Sequence, residues 1–146
     1  MSDERVTLHP AESNLSYVES LLDANDLPSR DVRSKPDCFY VGDAGGKPIG
    51  VGGIERYGPD GLLRSVVVES ESRGKGLGTA LCDALETEAQ SEGIDTLYLL
   101  TTTAREFFAD RGYEEIERTD PPATIQQTTE FDDLCPSTAV CMKKSL

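Results

Sequence analysis

Leu62-Leu63-Arg64-Ser65-Val66-Val67-Val68, followed after a short gap by Arg73-Gly74-Lys75-Gly76-Leu77-Gly78-Thr79, is the stretch that decides how this chain is read. The first run is rich in aliphatic and β-branched residues and predicts a strand. The second places glycines at alternate positions ahead of Leu77, Leu81, Ala84, Leu85 and Ala89, the spacing of one buried helical face. Strand, glycine-rich turn and helix in that order build an anion cradle. Glycine lets the backbone approach a ligand without Cβ contact, and the first N–H groups of the helix point outward with the positive end of its dipole behind them. A phosphate ester is the ligand that such a turn suits.

Two common phosphate loops fit this run poorly. A Walker loop ends in Gly-Lys-Ser/Thr, whereas Lys75 is followed by Gly76. A dinucleotide fingerprint asks for a third glycine where Thr79 stands, and for a place at the start of a βαβ unit instead of after several strands. The run resembles the Arg/Gln-x-x-Gly-x-Gly/Ala signature of the GNAT superfamily of N-acetyltransferases, with Arg73, Gly76 and Gly78 in the defining places. The resemblance implies that the loop binds the pyrophosphate of acetyl-coenzyme A (acetyl-CoA). Gly74, Lys75, Leu77 and Thr79 complete the cofactor-binding segment.

A length of 146 residues with 37% hydrophobic content suits one globular domain spanning the whole chain. No apolar run approaches a membrane span, and the polar, acidic Met1 to Arg5 is unlike a signal or transit peptide, so a cytoplasmic protein is expected. Acidic residues outnumber basic ones 27 to 14, a net charge of −13 that argues against nucleic acid and membranes as partners. Arg73, Lys75 and the helix N-terminus must therefore make a local positive site in a negative field. The acids are dispersed instead of forming a tail, and lysines number only five, a pattern that points to a halophilic, salt-adapted surface. An acidic mesophilic protein is the alternative. Cys38, Cys82, Cys135 and Cys141 form no Cys-x-x-Cys pair and His9 is the lone histidine, so no metal site is expected.

Along the chain the pattern alternates without repeats or linkers. A strand is expected over Arg5 to His9, a helix over Glu12 to Ala24, and a polar connection with room for a short helix over Leu27 to Pro36. Strands Cys38 to Val41, Pro48 to Arg56 and Leu62 to Glu69, separated by turns at Asp43-Ala44-Gly45-Gly46 and Gly58-Pro59-Asp60-Gly61, form an antiparallel meander. The motif helix runs from Gly76 to a stop at Gly93, and the strand Asp95 to Thr101 must then lie parallel to the strand before that helix. Thr103 to Glu106 reads as a capping box for a helix closed by Gly112. Strand Tyr113 to Arg118, a helix from Pro122 to about Leu134 and a last strand Thr138 to Lys143 complete the order.

This order is similar to that of the GNAT fold over nearly the whole chain: an α/β domain of α+β character, with a mixed sheet, an antiparallel meander, a splayed parallel pair and flanking helices. A second match lies at Ala104 to Tyr113, which resembles the family's helix ending in Gly-Phe/Tyr. The runs Leu62 to Val66, Leu97 to Ala104 and Thr129 to Pro136 look like the short acetyltransferases associated with arsenic resistance. The Leu-Leu-Thr-Thr run before Arg-Gly-Tyr is also similar to the acetyltransferase domain of N-acetylglutamate synthases.

The resemblance implies acetyl-CoA seated where the parallel strands splay, and direct attack of a small-molecule primary amine on the thioester. Backbone groups of Val66 and Val68 are expected to bind the acetyl carbonyl and the pantetheine amides, placing an N–H where the oxyanion develops. Glu69 and Glu55 are the candidates for the base that takes the amine's proton. Many family members carry a tyrosine near the leaving thiolate at the position of Phe108, which is expected to line the cofactor here without a hydroxyl. Arg56, Arg64 and Arg105 could hold a substrate carboxylate or oxyacid group, and Thr102 could add a hydroxyl. Two other readings stay open, a glutamate or amino-acid N-acetyltransferase and a non-catalytic acyl-CoA-binding module, as does a homodimer.

The charge pattern yields a direct test. Screening relieves repulsion among dispersed carboxylates, so the thermal midpoint should rise between low and molar potassium chloride. A midpoint that is flat or falls contradicts a salt-adapted surface.

Overall fold

The computed structural model describes residues 6–27, 29–72, 76–102, 104–128 and 139–146. Hydrogen-bonded strands follow the order β1-β2-β3-β4-β5-β7-β6. Their ranges are β1 Thr7–Pro10, β2 Phe39–Ala44, β3 Lys47–Tyr57, β4 Asp60–Val68, β5 Thr96–Thr101, β6 Glu114–Ile116 and β7 Val140–Ser145. The described helices are α1 Leu15–Ala24, α2 Leu77–Ser91, α3 Arg105–Asp110 and α4 Ala123–Gln126. The α/β class and the mixed sheet are as the pattern predicts.

The chain divides into two compact units, and the division falls within β3, β4 and α2, at Ile54/Glu55, Arg64/Ser65 and Glu88/Ala89. In the first unit β1, β2 and β3 pair antiparallel in sequence order. Gly45 and Gly46, at φ 61° and 82°, make the two-residue turn between β2 and β3, in which both central residues need positive φ to match the twist of the strands. One face of this ribbon packs on α1: Val18, Leu21 and Leu22 are buried with Phe39, Val41, Val51 and Val67.

The other face carries glycines so that α2 and β4 can come close. A Cβ on Gly52 would lie 2.5 Å from Leu85 Cδ1 of α2, and one on Gly50 would lie 2.3 Å from the Val67 carbonyl oxygen. Backbone cannot yield as a flexible side chain can, so Gly50 is fixed by the course of β4.

In the second unit β4 and β5 run parallel, Asp60 opposite Thr96, Gly61 opposite Leu97 and Leu62 opposite Tyr98. The last strand inserts between β5 and β6. It pairs antiparallel with β5 from Thr96↔Ser145 to Thr101↔Val140, and with β6 from Glu114↔Lys143 to Ile116↔Cys141. Leu62, Tyr98, Leu100, Ile125, Ala139 and Cys141 form the core of this unit.

Several boundaries differ from the sequence pattern. The connection before β2 folds into two 3₁₀ turns, Val32–Ser34 and Pro36–Cys38. Strand β6 stops at Ile116, where Asp120 Oδ2 accepts the Glu117 N–H at 3.0 Å and turns the chain. Ala104 is the N-cap of α3 and makes no side-chain cap, while Thr101 Oγ1 accepts the Ala104 N–H at 3.0 Å. Thr103, expected in that cap, lies outside the described residues, as do Cys135 and the run Thr129 to Pro136.

Candidate active site

Strand β4 carries the main irregularity. Ser65 has φ 59°, and the only other non-glycine residue with positive φ among the described residues is Asp26, just beyond the end of α1. A left-handed residue is ordinary after a helix but costs about 1–3 kcal/mol inside a strand, and it marks a bulge. Among the described residues the pairing with β5 reaches Leu62, whereas β4 continues to Val68 and β5 to Thr101. Sequence reading missed the bulge, since Ser65 among valines looks like regular strand.

Beyond Ser65, Val67 is buried in the α1 core while Val66 and Val68 are half-buried. The Glu69 N–H donates to the Ile49 carbonyl at 2.7 Å, and the Glu69 carbonyl accepts the Ser72 N–H at 2.9 Å, starting the turn Ser70–Ser72. Arg73, Gly74 and Lys75, expected at the heart of the anion cradle, lie outside the described residues. Gly76 is exposed with φ 76°, and its carbonyl accepts the Ala80 N–H at 3.1 Å, opening α2. Leu77 is buried and anchors the first turn, Gly78 is half-buried and Thr79 exposed. No acidic residue sits in that turn, which leaves the positive end of the dipole unopposed by side chains of its own turn.

The two candidate bases occupy different environments. Glu55 is 2% exposed. Its Oε2 accepts from Arg64 Nη1 at 2.9 Å and its Oε1 accepts a short bond from the Tyr57 hydroxyl. Arg64 is thus a buried cation paired with Glu55 instead of an open surface fork. Removing either charge would leave its partner buried without compensation, at a cost of roughly 3–5 kcal/mol. Glu69 is half-buried, and its Oε2 accepts from the Tyr17 hydroxyl at 2.6 Å. Burial, then the bond to Glu69 and the negative charges of Glu69, Asp43 and Glu71, push the Tyr17 phenol well above its ordinary range.

The other expected site residues are spread over the second unit. Arg56 is exposed, its Nη2 3.7 Å from where a Cβ on Gly93 would stand, beside the turn that ends α2. Thr102 and Arg105 are exposed near the start of α3, and Arg105 Nη1 reaches Glu115 Oε1 at 3.5 Å across the surface. Phe108 is buried, with its ring edge-on to Phe107 and Tyr113 at 5.1 and 5.3 Å between centroids. Cys141 lies in the same unit's core, where burial pushes its thiol up to about 11, so it stays protonated near neutral pH.

Residues 4–114 match the model of the Acetyltransferase (GNAT) family, and the chain belongs to that family. It is 34% identical over 107 residues to an amino-acid acetyltransferase of Mycobacterium tuberculosis, covering 73% of this chain and 55% of that relative. It is 32% identical over 116 residues to an IAA acetyltransferase of Azospirillum brasilense, covering 72% of this chain and 69% of that one. The chain thus spans little more than half the length of the first relative. The fold is similar to that of N-acetylglutamate synthase from Neisseria gonorrhoeae, solved with coenzyme A and N-acetyl-glutamate. That likeness has TM-score 0.78 and 17% identity, covering 97% of this chain and 35% of that one. A Mycobacterium tuberculosis protein solved with CoA superposes with TM-score 0.78 at 24% identity, covering 96% of this chain and 99% of that one.

The bulge is open to a stability test. Ser65→Gly keeps the left-handed conformation without a Cβ and should stay within about 1 kcal/mol of wild type in urea unfolding. Ser65→Val, β-branched at the same φ, should lose about 1–3 kcal/mol. Equal stability for the two variants would mean that β4 is not held in this conformation.

Proposed function

We propose that this chain transfers the acetyl group of acetyl-CoA to the primary amine of a small, amino-acid-like substrate. The observation that carries the reading is the left-handed Ser65 within β4, followed by half-buried Val66 and Val68, then by Gly76 at positive φ and a first turn of α2 free of acidic side chains. In this reading the pyrophosphate sits on the first N–H groups of α2, with Gly76 and Gly78 allowing close approach and Arg73 and Lys75 adding charge. The pantetheine arm lies along Val66 to Val68.

The chemistry needs one bond made and one broken. The neutral amine attacks the thioester carbonyl, the tetrahedral oxygen takes up the negative charge beside a β4 backbone N–H, and the C–S bond breaks to release coenzyme A as thiolate. The proton lost by the amine goes to Glu69, whose Oε1 has no protein donor among the described residues. Glu55 is the poorer base, because both of its oxygens are already engaged and its charge balances Arg64. The leaving thiolate takes its proton from solvent.

Arg105 and Thr102 remain the candidates to meet an acceptor carboxylate: both are exposed, and the surface pair of Arg105 with Glu115 is easily given up. The amino-acid acetyltransferase relative supports an amino-acid acceptor. The three runs that resemble the arsenic-resistance branch support an amine bearing an oxyacid group.

A thiol-release assay with acetyl-CoA and a panel of amines, including glutamate, other amino acids and aminoalkyl oxyacids, tests the reading. Turnover is expected with at least one amine. Thr79→Glu, a charge added at the exposed first turn of α2, should raise the KM for acetyl-CoA about tenfold while leaving the fold intact. Binding of acetyl-CoA without turnover on any amine would favour an acyl-CoA-binding module. An absence of binding would overturn the proposal.

A further inference from the structure

Tyr17 lies 52 residues before Glu69 in sequence, yet its hydroxyl donates to Glu69 Oε2 at 2.6 Å. The bond is held from both sides. The Tyr17 ring packs on the core cluster formed by Ala11, Val18, Val41, Val51 and Val67 among others, and α1 itself is anchored there by Val18, Leu21 and Leu22. Glu69 is fixed at its backbone by Ile49 and Ser72. A phenol on a rigid ring and a carboxylate on a pinned main chain leave little freedom to either group. Oε2 is committed to Tyr17, and Oε1 is the oxygen left to take a proton.

We infer that Tyr17 is a positioning residue of the acetyl-transfer site: its hydroxyl, seated by the α1 core, aims the Glu69 carboxylate at the acceptor amine. This rests on the proposed acetyl transfer and on Glu69 as its base. The charges that face Tyr17 from neighbouring elements are Glu69, Asp43 of β2 and Glu71 of the turn after β4. Asp43 Oδ2 lies 3.0 Å from His9 Nε2, and Glu71 Oε1 lies 3.6 Å from Lys47 Nζ. All three facing groups are acids, and with burial they hold the phenol in its neutral, donating form far into the alkaline range. The hydrogen bond therefore persists at the pH values where an amine sheds its proton. The same acids favour the approach of a cationic acceptor.

Tyr17→Phe removes one oxygen and keeps the ring that the core packs against, so the fold should survive with a thermal midpoint within a few degrees of wild type. The expected result is a fall in kcat of about tenfold with the KM for acetyl-CoA within about twofold, as the loss of a hydrogen bond to a charged group would give. On a Glu69→Gln background the same substitution should change kcat by less than about twofold, because Tyr17 acts through Glu69. Unchanged kcat in Tyr17→Phe, or an equal fall on both backgrounds, overturns the role. A second readout needs no activity. In protein labelled with ¹³C at tyrosine Cζ, one phenol should ionise at lower pH in Glu69→Gln than in wild type, and no such shift overturns the contact. A wild type that binds acetyl-CoA, acetylates no amine and still shows that shift overturns the reading beneath, and the role with it, while leaving the Tyr17–Glu69 bond intact.

Discussion

The left-handed turn of the β4 backbone at Ser65 is the constraint on which the rest of the site depends. Before it, Asp60, Gly61 and Leu62 are tied in parallel to β5. After it, Val67 is buried in the α1 core and Val66 and Val68 are half-buried. The neighbouring strand has to accommodate this course. Gly50 is glycine because the Val67 carbonyl passes through the space of its Cβ, and a side chain there would push β4 off its track. Backbone strain of this kind inside a strand is met beside functional sites elsewhere.

Charge is distributed unevenly. In a chain with a net charge of −13, the first turn of α2 carries no acidic side chain, which lessens the repulsion a polyanion would meet there. Near the end of β4 the balance reverses: Glu69, Asp43 and Glu71 gather around Tyr17, a field suited to a cationic amine. Glu55 and Arg64 stand apart from both. They neutralise each other inside the second unit, where Tyr57 fills the remaining oxygen of Glu55. Such a pair fixes how β3 and β4 face each other more than it stabilises them, since the cost of desolvating both ions offsets their attraction.

Most of the fold was legible in the sequence because it rests on local signals. The glycine turn at Gly45-Gly46, the stops at Gly93 and Gly112 and the apolar stripe of α2 each declare an element within a few residues, and the parallel pairing of β4 with β5 follows from the helix between them. The candidate site was legible as local structure where contiguous residues make it: Gly76 takes positive φ and Leu77 opens α2. It was not legible where it depends on register or on distant partners. Arg64 read as an open guanidinium fork until the β3–β4 register set it against Glu55, and no local pattern links Tyr17 to Glu69 across 52 residues. The bulge was hidden because serine has no marked preference for positive φ, unlike glycine or asparagine, so its conformation is imposed by tertiary context.

Amide hydrogen exchange followed residue by residue by NMR, with and without acetyl-CoA, tests most directly whether β4 and the start of α2 receive the cofactor. Exchange at Val66, Val68 and the amides from Gly76 to Thr79 should slow on binding, with little change in the α1 core. Acetyl-CoA that binds and protects other amides, while those of β4 beyond Ser65 and of the first turn of α2 exchange as before, would contradict the account.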